Sequence, residues 1–156
     1  MSIETAKNYL AQYGLAERVL AFPVSSATVE LAAAALGVEG ARIAKTLSFL
    51  KGEGCFLVLA AGDARIDNRK FRERFQLKAK MPPPEQVEAL VGHAPGGVCP
   101  FGVKEGVEVY LDESLRRFDT VFPAAGSGNS AIELSPEELY RVSAARDWVD
   151  VCRLPE

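Results

Sequence analysis

Two periodicities of apolar and polar positions run along this chain, and the points where one gives way to the other mark its elements. Ile3, Ala6, Tyr9, Leu10 and Tyr13 recur every three or four positions, which predicts an amphipathic helix over residues 3–13 closed by Gly14. The chain then reads as extended from Val19 to Val24. Thr28 is placed to cap a second helix through Leu36, ended by Gly37, with alanines that leave a narrow face for close packing. Thr46–Leu50 and Cys55–Ala61 are apolar runs joined by Lys51-Gly52-Glu53-Gly54, a hairpin signal that puts Lys45 at the start of a strand.

Asp67 is a candidate cap for a helix that carries Phe71 and Phe75 on one side and basic residues on the others. Pro82-Pro83-Pro84 stops what precedes it, and Pro84–Val91 reads as a short helix with Val87, Leu90 and Val91 inward. Gly92 opens a loop. Val107–Leu111, Thr120–Ala124 and Ala131–Leu134 are short strands, and Ser135-Pro136-Glu137-Glu138 is a capping box with proline at the first helical position. Trp148–Cys152 alternates as a last strand at an edge. Helices early, midway and late, with hairpin-like strand pairs between them and no regular strand-helix-strand period, predict an α+β fold. The expectation is a single domain over residues 1–156, with a curled, mostly antiparallel (mixed) sheet or partial barrel flanked by helices.

Composition narrows the function classes. At 156 residues and 48% hydrophobic content the chain suits one compact core. Its longest uncharged apolar stretch, Cys55–Gly62, is too short to span a bilayer, and no basic segment followed by an apolar one opens the chain, so a soluble, cytoplasmic protein is expected. Cys55, Cys99 and Cys152 are odd in number and widely spaced, and His93 is the lone histidine. Neither a disulfide scaffold, a metal site nor an organic cofactor is indicated.

The net charge of −3 argues against a protein that coats nucleic acid, yet residues 65–80 hold seven basic residues against Asp67 and Glu73. A basic segment on an acidic body can hold one stretch of phosphate backbone, with Arg69, Lys70, Arg72 and Arg74 as candidates, or it can be a solvated helix face.

The densest chemical signal is Gly96-Gly97-Val98-Cys99-Pro100-Phe101-Gly102. Three glycines and a proline in seven residues describe a loop with positive φ angles and N–H groups free to face a ligand. Lys45 lies in an otherwise apolar run, where its charge is costly to bury without a partner. With Gly126-Ser127-Gly128-Asn129 downstream, these pieces suggest a pocket for a small anionic or ester-bearing ligand. Bland readings stand beside this one: Lys45 as a solvated strand residue, His93 as a packing residue, Ser127 and Asn129 as turn residues, and Thr46 directed away from Lys45 by strand alternation.

Taken in order, Lys45-Thr46-Leu47, Ala60-Ala61-Gly62-Asp63, the Asp67 to Lys70 helix start, the Gly96–Gly102 loop and Gly126–Asn129 resemble the YbaK and prolyl-tRNA synthetase-associated editing-domain family of aminoacyl-tRNA deacylases. The resemblance runs from about Val24 to Val142. It implies an α+β fold of that family's kind, acting in trans to hydrolyse the ester of a mischarged tRNA, with the tRNA acceptor end and an aminoacyl-tRNA synthetase as partners. The family's lysine maps onto Lys45, which holds the terminal-adenosine end. Its Gly-x-x-x-Pro loop maps onto Gly96 and Pro100, whose backbone orients the scissile carbonyl and a water. Thr46, Gly97, Val98, Cys99, Phe101, Gly102, Ser127, Gly128 and Asn129 follow as substrate-binding candidates. Some alanine-removing members carry a histidine where this chain has Gly126–Asn129, which leaves the amino acid open among Ala, Cys, Ser and Thr.

The chemistry is consistent with that implication. An aminoacyl ester is already activated, so its hydrolysis asks for positioning and oxyanion stabilisation more than for a strong nucleophile. Cys99 has no histidine base evident beside it in the sequence, and no Gly-x-Ser-x-Gly elbow supports a generic serine esterase. The alternative from another class is a non-catalytic module that binds a tRNA acceptor end or a nucleotide.

Overall fold

The computed structural model describes residues 2–155. Helix α1 (Ser2–Ala11) is followed by β1 (Val19–Ala21) and α2 (Val29–Leu36). Strands β2 (Ile43–Lys51), β3 (Gly54–Ala61) and β4 (Arg65–Ile66) lead into α3 (Asn68–Phe75) and α4 (Pro84–Val91). The second half holds β5 (Glu108–Asp112), β6 (Phe122–Pro123), β7 (Ser130–Ile132), α5 (Pro136–Val142), β8 (Asp147–Val149) and β9 (Cys152–Arg153). Five helices surround a curled, half-barrel mixed sheet, the α+β architecture that the periodicities predict.

The long β2–β3 hairpin organises the molecule. Lys51 pairs with Gly54 across a two-residue turn, and Gly52 has φ +60°, the backbone that such a turn needs at its first central position. The larger sheet runs in the order β6-β2-β3-β5-β8, with β2–β3 antiparallel and the other three pairs parallel. Two small antiparallel sheets, β1–β7 and β4–β9, complete the set. Because β3 is flanked on both sides, its residues from Cys55 to Ala61 are all buried, which is why they form an unbroken apolar run instead of an alternation.

Local signals explain the helices that cover this sheet. The Asp67 carboxylate accepts from the N–H groups of Arg69 and Lys70 and caps α3, which lays Phe71 and Phe75 on Phe49, Phe56 and Tyr110. Ser135 and Glu138 form the complete capping box of α5. Gly92 ends α4 in the left-handed region and releases the chain into the glycine loop.

Two expectations change in detail. The alternating run Trp148–Cys152 is broken at Asp150 and Val151: β8 pairs with β5 at the edge of the large sheet, whereas β9 crosses to β4. The break has a cause in the core, because the buried Asp112 carboxylate draws in the Val151 N–H and turns the chain. The strand expected over Thr120–Ala124 pairs with β2 at Phe122 and Pro123 alone, and its flanks make single bridges from Val121 to Leu134 and from Ala124 to Ala131. Past Ala44, β6 no longer follows β2. That divergence opens the sheet.

Candidate functional site

Where β6 leaves β2, a cleft of about 270 Å³ enters the molecule. Ile43 to Leu47 of β2 form its floor, Thr28, Val29 and Ala32 of α2 one wall, and Phe122, Ala124, Ser130 and Ala131 another. Gly96 and Val98 close it from the glycine loop. Lys45 and Thr46 thus share one cavity with the loop although alternation sends their side chains to opposite faces, because the cleft follows the exposed edge of the strand.

Lys45 is half-buried, and its ammonium donates to the Ala64 carbonyl and to the Gly62 carbonyl at 3.4 Å. Burial pushes its pKa below the ordinary lysine value, and the nearby Asp63 carboxylate opposes that shift. Asp63 is itself locked to Arg117 at 2.6 Å, which holds its carboxyl below the usual range and leaves the lysine without a side-chain counter-ion in direct contact. The Thr46 hydroxyl is buried with no hydrogen-bond partner among the described residues. Such an orphaned group is rare in a folded protein and has a use when a ligand enters.

The loop is shaped by close approach as much as by φ. Gly96 and Gly102 are left-handed at φ +90° and +74°, whereas Gly97 is not. Gly97 is required for another reason: a Cβ there would lie 2.7 Å from Ser127 Cα and 2.8 Å from the Gly126 carbonyl. The two glycine segments that the sequence separates by thirty residues are therefore packed backbone to backbone. The Gly97 N–H is held by the Ala94 carbonyl, while those of Gly96 and Val98 have no partner among the described residues.

The remaining candidates lie around the cleft and not in its lining. Cys99, Pro100 and Phe101 are buried, with Phe101 packed 6.4 Å from the ring of Tyr9. Gly102 sits against Thr5 of α1. Ser127 bonds to Asn129 and Ser130, and Asn129 and Gly128 fasten the incoming strap at Phe22 and Ser26. Those three residues hold the rim together through contacts within the protein.

A histidine does stand beside Cys99. The fully buried His93 places Nε2 3.6 Å from the Cys99 sulfur, but that nitrogen is 2.7 Å from the Phe101 carbonyl and serves as a donor to it. Complete burial pushes the Cys99 thiol up to about 12. The pair is a brace beneath the loop and lacks the thiolate that a nucleophile needs.

The basic helix is largely satisfied within the protein. Arg69 pairs with Glu73, Lys70 with Asp150 and the Cys152 carbonyl, and Arg74 with Asp147. Arg72 is exposed without an ion pair among the described residues. Sequence reading missed the α2 wall, Ser26, Ser130 and the Phe122–Ala124 side. Their only local signal is the alanine-rich face of α2, because each reaches the cleft through long-range packing.

The curled α+β sheet thus opens into a small cleft lined by one cation, a hydroxyl unpartnered among the described residues and a glycine loop, the kinds of group that a small polar ligand would use. Residues 24–142 match the family described as Aminoacyl-tRNA editing domain, and the chain belongs to that family. It is 52% identical over 155 residues to the uncharacterized protein YwhH of Bacillus subtilis, covering 98% of each chain. It is 29% identical over 118 residues to a protein of Enterococcus faecalis provisionally named Cys-tRNA(Pro)/Cys-tRNA(Cys) deacylase EbsC, covering 74% of this chain and 72% of that one. The crystal structure of a provisionally assigned trans-editing enzyme for prolyl-tRNA synthetase superposes with a TM-score of 0.87 at 31% identity, covering 97% of both chains. No helix among the described residues is long and apolar enough to cross a membrane.

Proposed function

We propose that this protein is a trans-editing aminoacyl-tRNA deacylase that hydrolyses the ester of a mischarged tRNA carrying a small amino acid such as Ala, Cys, Ser or Thr, with tRNA-Pro as the leading acceptor. The observation that carries the reading is that Lys45, Thr46 with its unpartnered hydroxyl, and Gly96 and Val98, whose N–H groups have no partner among the described residues, all line one cleft. The cleft lies at or below the small end of the roughly 300–1,000 Å³ typical of ligand pockets, which suits a small side chain. The names of the similar proteins supply the tRNA-Pro context.

In this reading the Lys45 ammonium holds the terminal ribose and its phosphate, and the loop N–H groups face the carbonyl oxygen as it becomes an oxyanion. Water adds to the carbonyl carbon, the bond to the ribose oxygen breaks, that oxygen takes a proton, and the amino acid leaves as its carboxylate. Among the described residues no histidine, aspartate or glutamate lines the cleft, so the vicinal ribose hydroxyl is assigned the task of orienting the water. The protein's part is placement and electrostatics, exerted in the cytoplasm, where charged tRNA is used.

The test is single-turnover deacylation of Ala, Cys, Ser and Thr esters on tRNA-Pro and other acceptors, comparing the wild type with Lys45→Ala. Selective release that disappears in the variant supports the reading and names the amino acid. No release above the spontaneous rate for any ester, with acceptor-end binding retained, replaces it with a binding module.

A further inference from the structure

Arg65 of β4 and Arg153 of β9 are direct partners across an antiparallel ladder. Both are exposed, and neither makes an ion pair or side-chain hydrogen bond among the described residues. Like charges directly opposite one another on a sheet repel, since partner Cβ atoms stand only about 4.5–5.5 Å apart. Seven other arginines, Arg18, Arg42, Arg69, Arg74, Arg116, Arg117 and Arg146, each face a carboxylate, whereas Arg72 and Arg141 are exposed without an ion pair among the described residues but do not stand opposite a like charge on a ladder. The Asp67 carboxylate feels the charge of Arg153, but it already accepts from two helix N–H groups.

The position of the pair gives the uncompensated charge a direction. Arg65 follows Ala64, whose carbonyl receives the Lys45 ammonium, and its charge is close enough to disfavour the charged form of that lysine. Arg153 lines a second depression with Lys70 and Arg117, where Asp112, Glu113 and Asp150 also lie. Lys45 thus reaches the carbonyl that precedes Arg65, and Arg65 stands opposite Arg153, so three cations are linked in succession, the last two with no ion pair among the described residues.

We propose that Arg65 and Arg153 form a phosphate clamp for the RNA strand whose 3′ end enters the cleft, reading backbone charge and not base identity. The clamp rests on the deacylase reading for the identity of the RNA, and it reassigns the electrostatic contact from α3 to the β4–β9 ladder. Two guanidinium groups on adjacent strands can each take a phosphate oxygen pair in a bidentate manner, which suits successive phosphates of one strand. The repulsion between them is relieved when the RNA binds, so a feature that destabilises the free protein becomes affinity in the complex.

The experiment is fluorescence anisotropy of an uncharged RNA hairpin ending in single-stranded CCA, titrated with protein over a series of salt concentrations. It compares the wild type, Arg65→Gln/Arg153→Gln and, as a control for net charge, Lys7→Gln/Lys104→Gln. The arginine variant is expected to lose about tenfold or more in affinity at low salt, and the slope of log affinity against log salt should shrink by about two, one for each phosphate contact. Its melting temperature should equal or exceed that of the wild type, because a repulsion has been removed. Equal losses in the two double variants, or an unchanged salt slope in the arginine variant, overturn the clamp. The readout needs no hydrolysis; the deacylase reading stands or falls separately on whether the wild type cleaves an aminoacyl ester of adenosine, which lacks the upstream phosphates.

Discussion

Gly97 and Ser127 are in backbone contact, so close that a single methyl group on Gly97 would stand 2.7 Å from Ser127 Cα. The cleft rim therefore depends on two loops from distant parts of the sequence meeting without side chains between them. Gly97→Ala is expected to force the loops apart, at about 1–3 kcal/mol of stability by the usual cost of overpacking. Its larger effect falls on turnover, since the Gly96 and Val98 N–H groups move with the loop. Thermal melting together with single-turnover rates checks this. A variant with an unchanged melting temperature and an unchanged rate refutes the contact's importance.

Lys45 links ligand binding to alkaline pH. Burial disfavours its ammonium, so its pKa in the folded protein lies below the ordinary 10.5. Affinity for an RNA 3′ end should fall as pH rises through that lowered value. Stability should respond in the opposite sense: between the folded pKa and 10.5 the unfolded chain holds the extra proton, so this residue's contribution to stability rises with pH. Lys45→Met should remove both trends, observable in binding titrations and denaturant midpoints across the alkaline range.

His93 makes a cleaner titration, because it is the protein's one histidine. It is buried and donates to Phe101, and burial lowers its pKa from 6.5. As pH falls below 6.5 the unfolded chain takes up a proton that the folded one resists, so stability is complete above that value and is lost as pH falls toward the folded pKa. The melting temperature should drop between pH 7 and pH 5.5, and His93→Gln should flatten the slope in that window. An equal slope in the variant assigns the effect to another group.

Cys99 should be chemically silent. With its thiol pushed up to about 12 and no solvent contact, iodoacetamide at neutral or mildly alkaline pH should leave it unmodified in the folded protein and alkylate it in urea, as mass spectrometry would detect. Rapid labelling of Cys99 under native conditions with loss of deacylation would restore the nucleophile that burial argues against.

What the sequence makes legible follows the range of the interactions. The Asp67 cap, the Gly52 turn and the Ser135–Glu138 box each close over a few residues, and their partners can be read from spacing. Lys45 and the Gly96 loop could be joined by their chemistry and by the family resemblance, but the cleft they share could not be drawn, because nothing local states that β6 departs from β2 after Ala44. The quenching of Arg74 by Asp147, and of Lys70 by Asp150, joins residues 73 and 80 positions apart and is invisible to charge counting. So is the register that sets Arg65 opposite Arg153. The break in the Trp148–Cys152 run comes from one buried carboxylate, Asp112, contributed by another strand.

The floor of the cleft is a strand edge, and a strand edge offers main-chain groups that are the same whichever residue supplies them. On the deacylase reading, contacts made there would concern what all aminoacyl esters have in common, while the walls at Val29, Ala32, Phe122 and Ala124 would meet what differs between them. On that reading, point substitution could widen or narrow the walls and leave the shared grip untouched, so one scaffold would drift from one amino acid to another without passing through an inactive form.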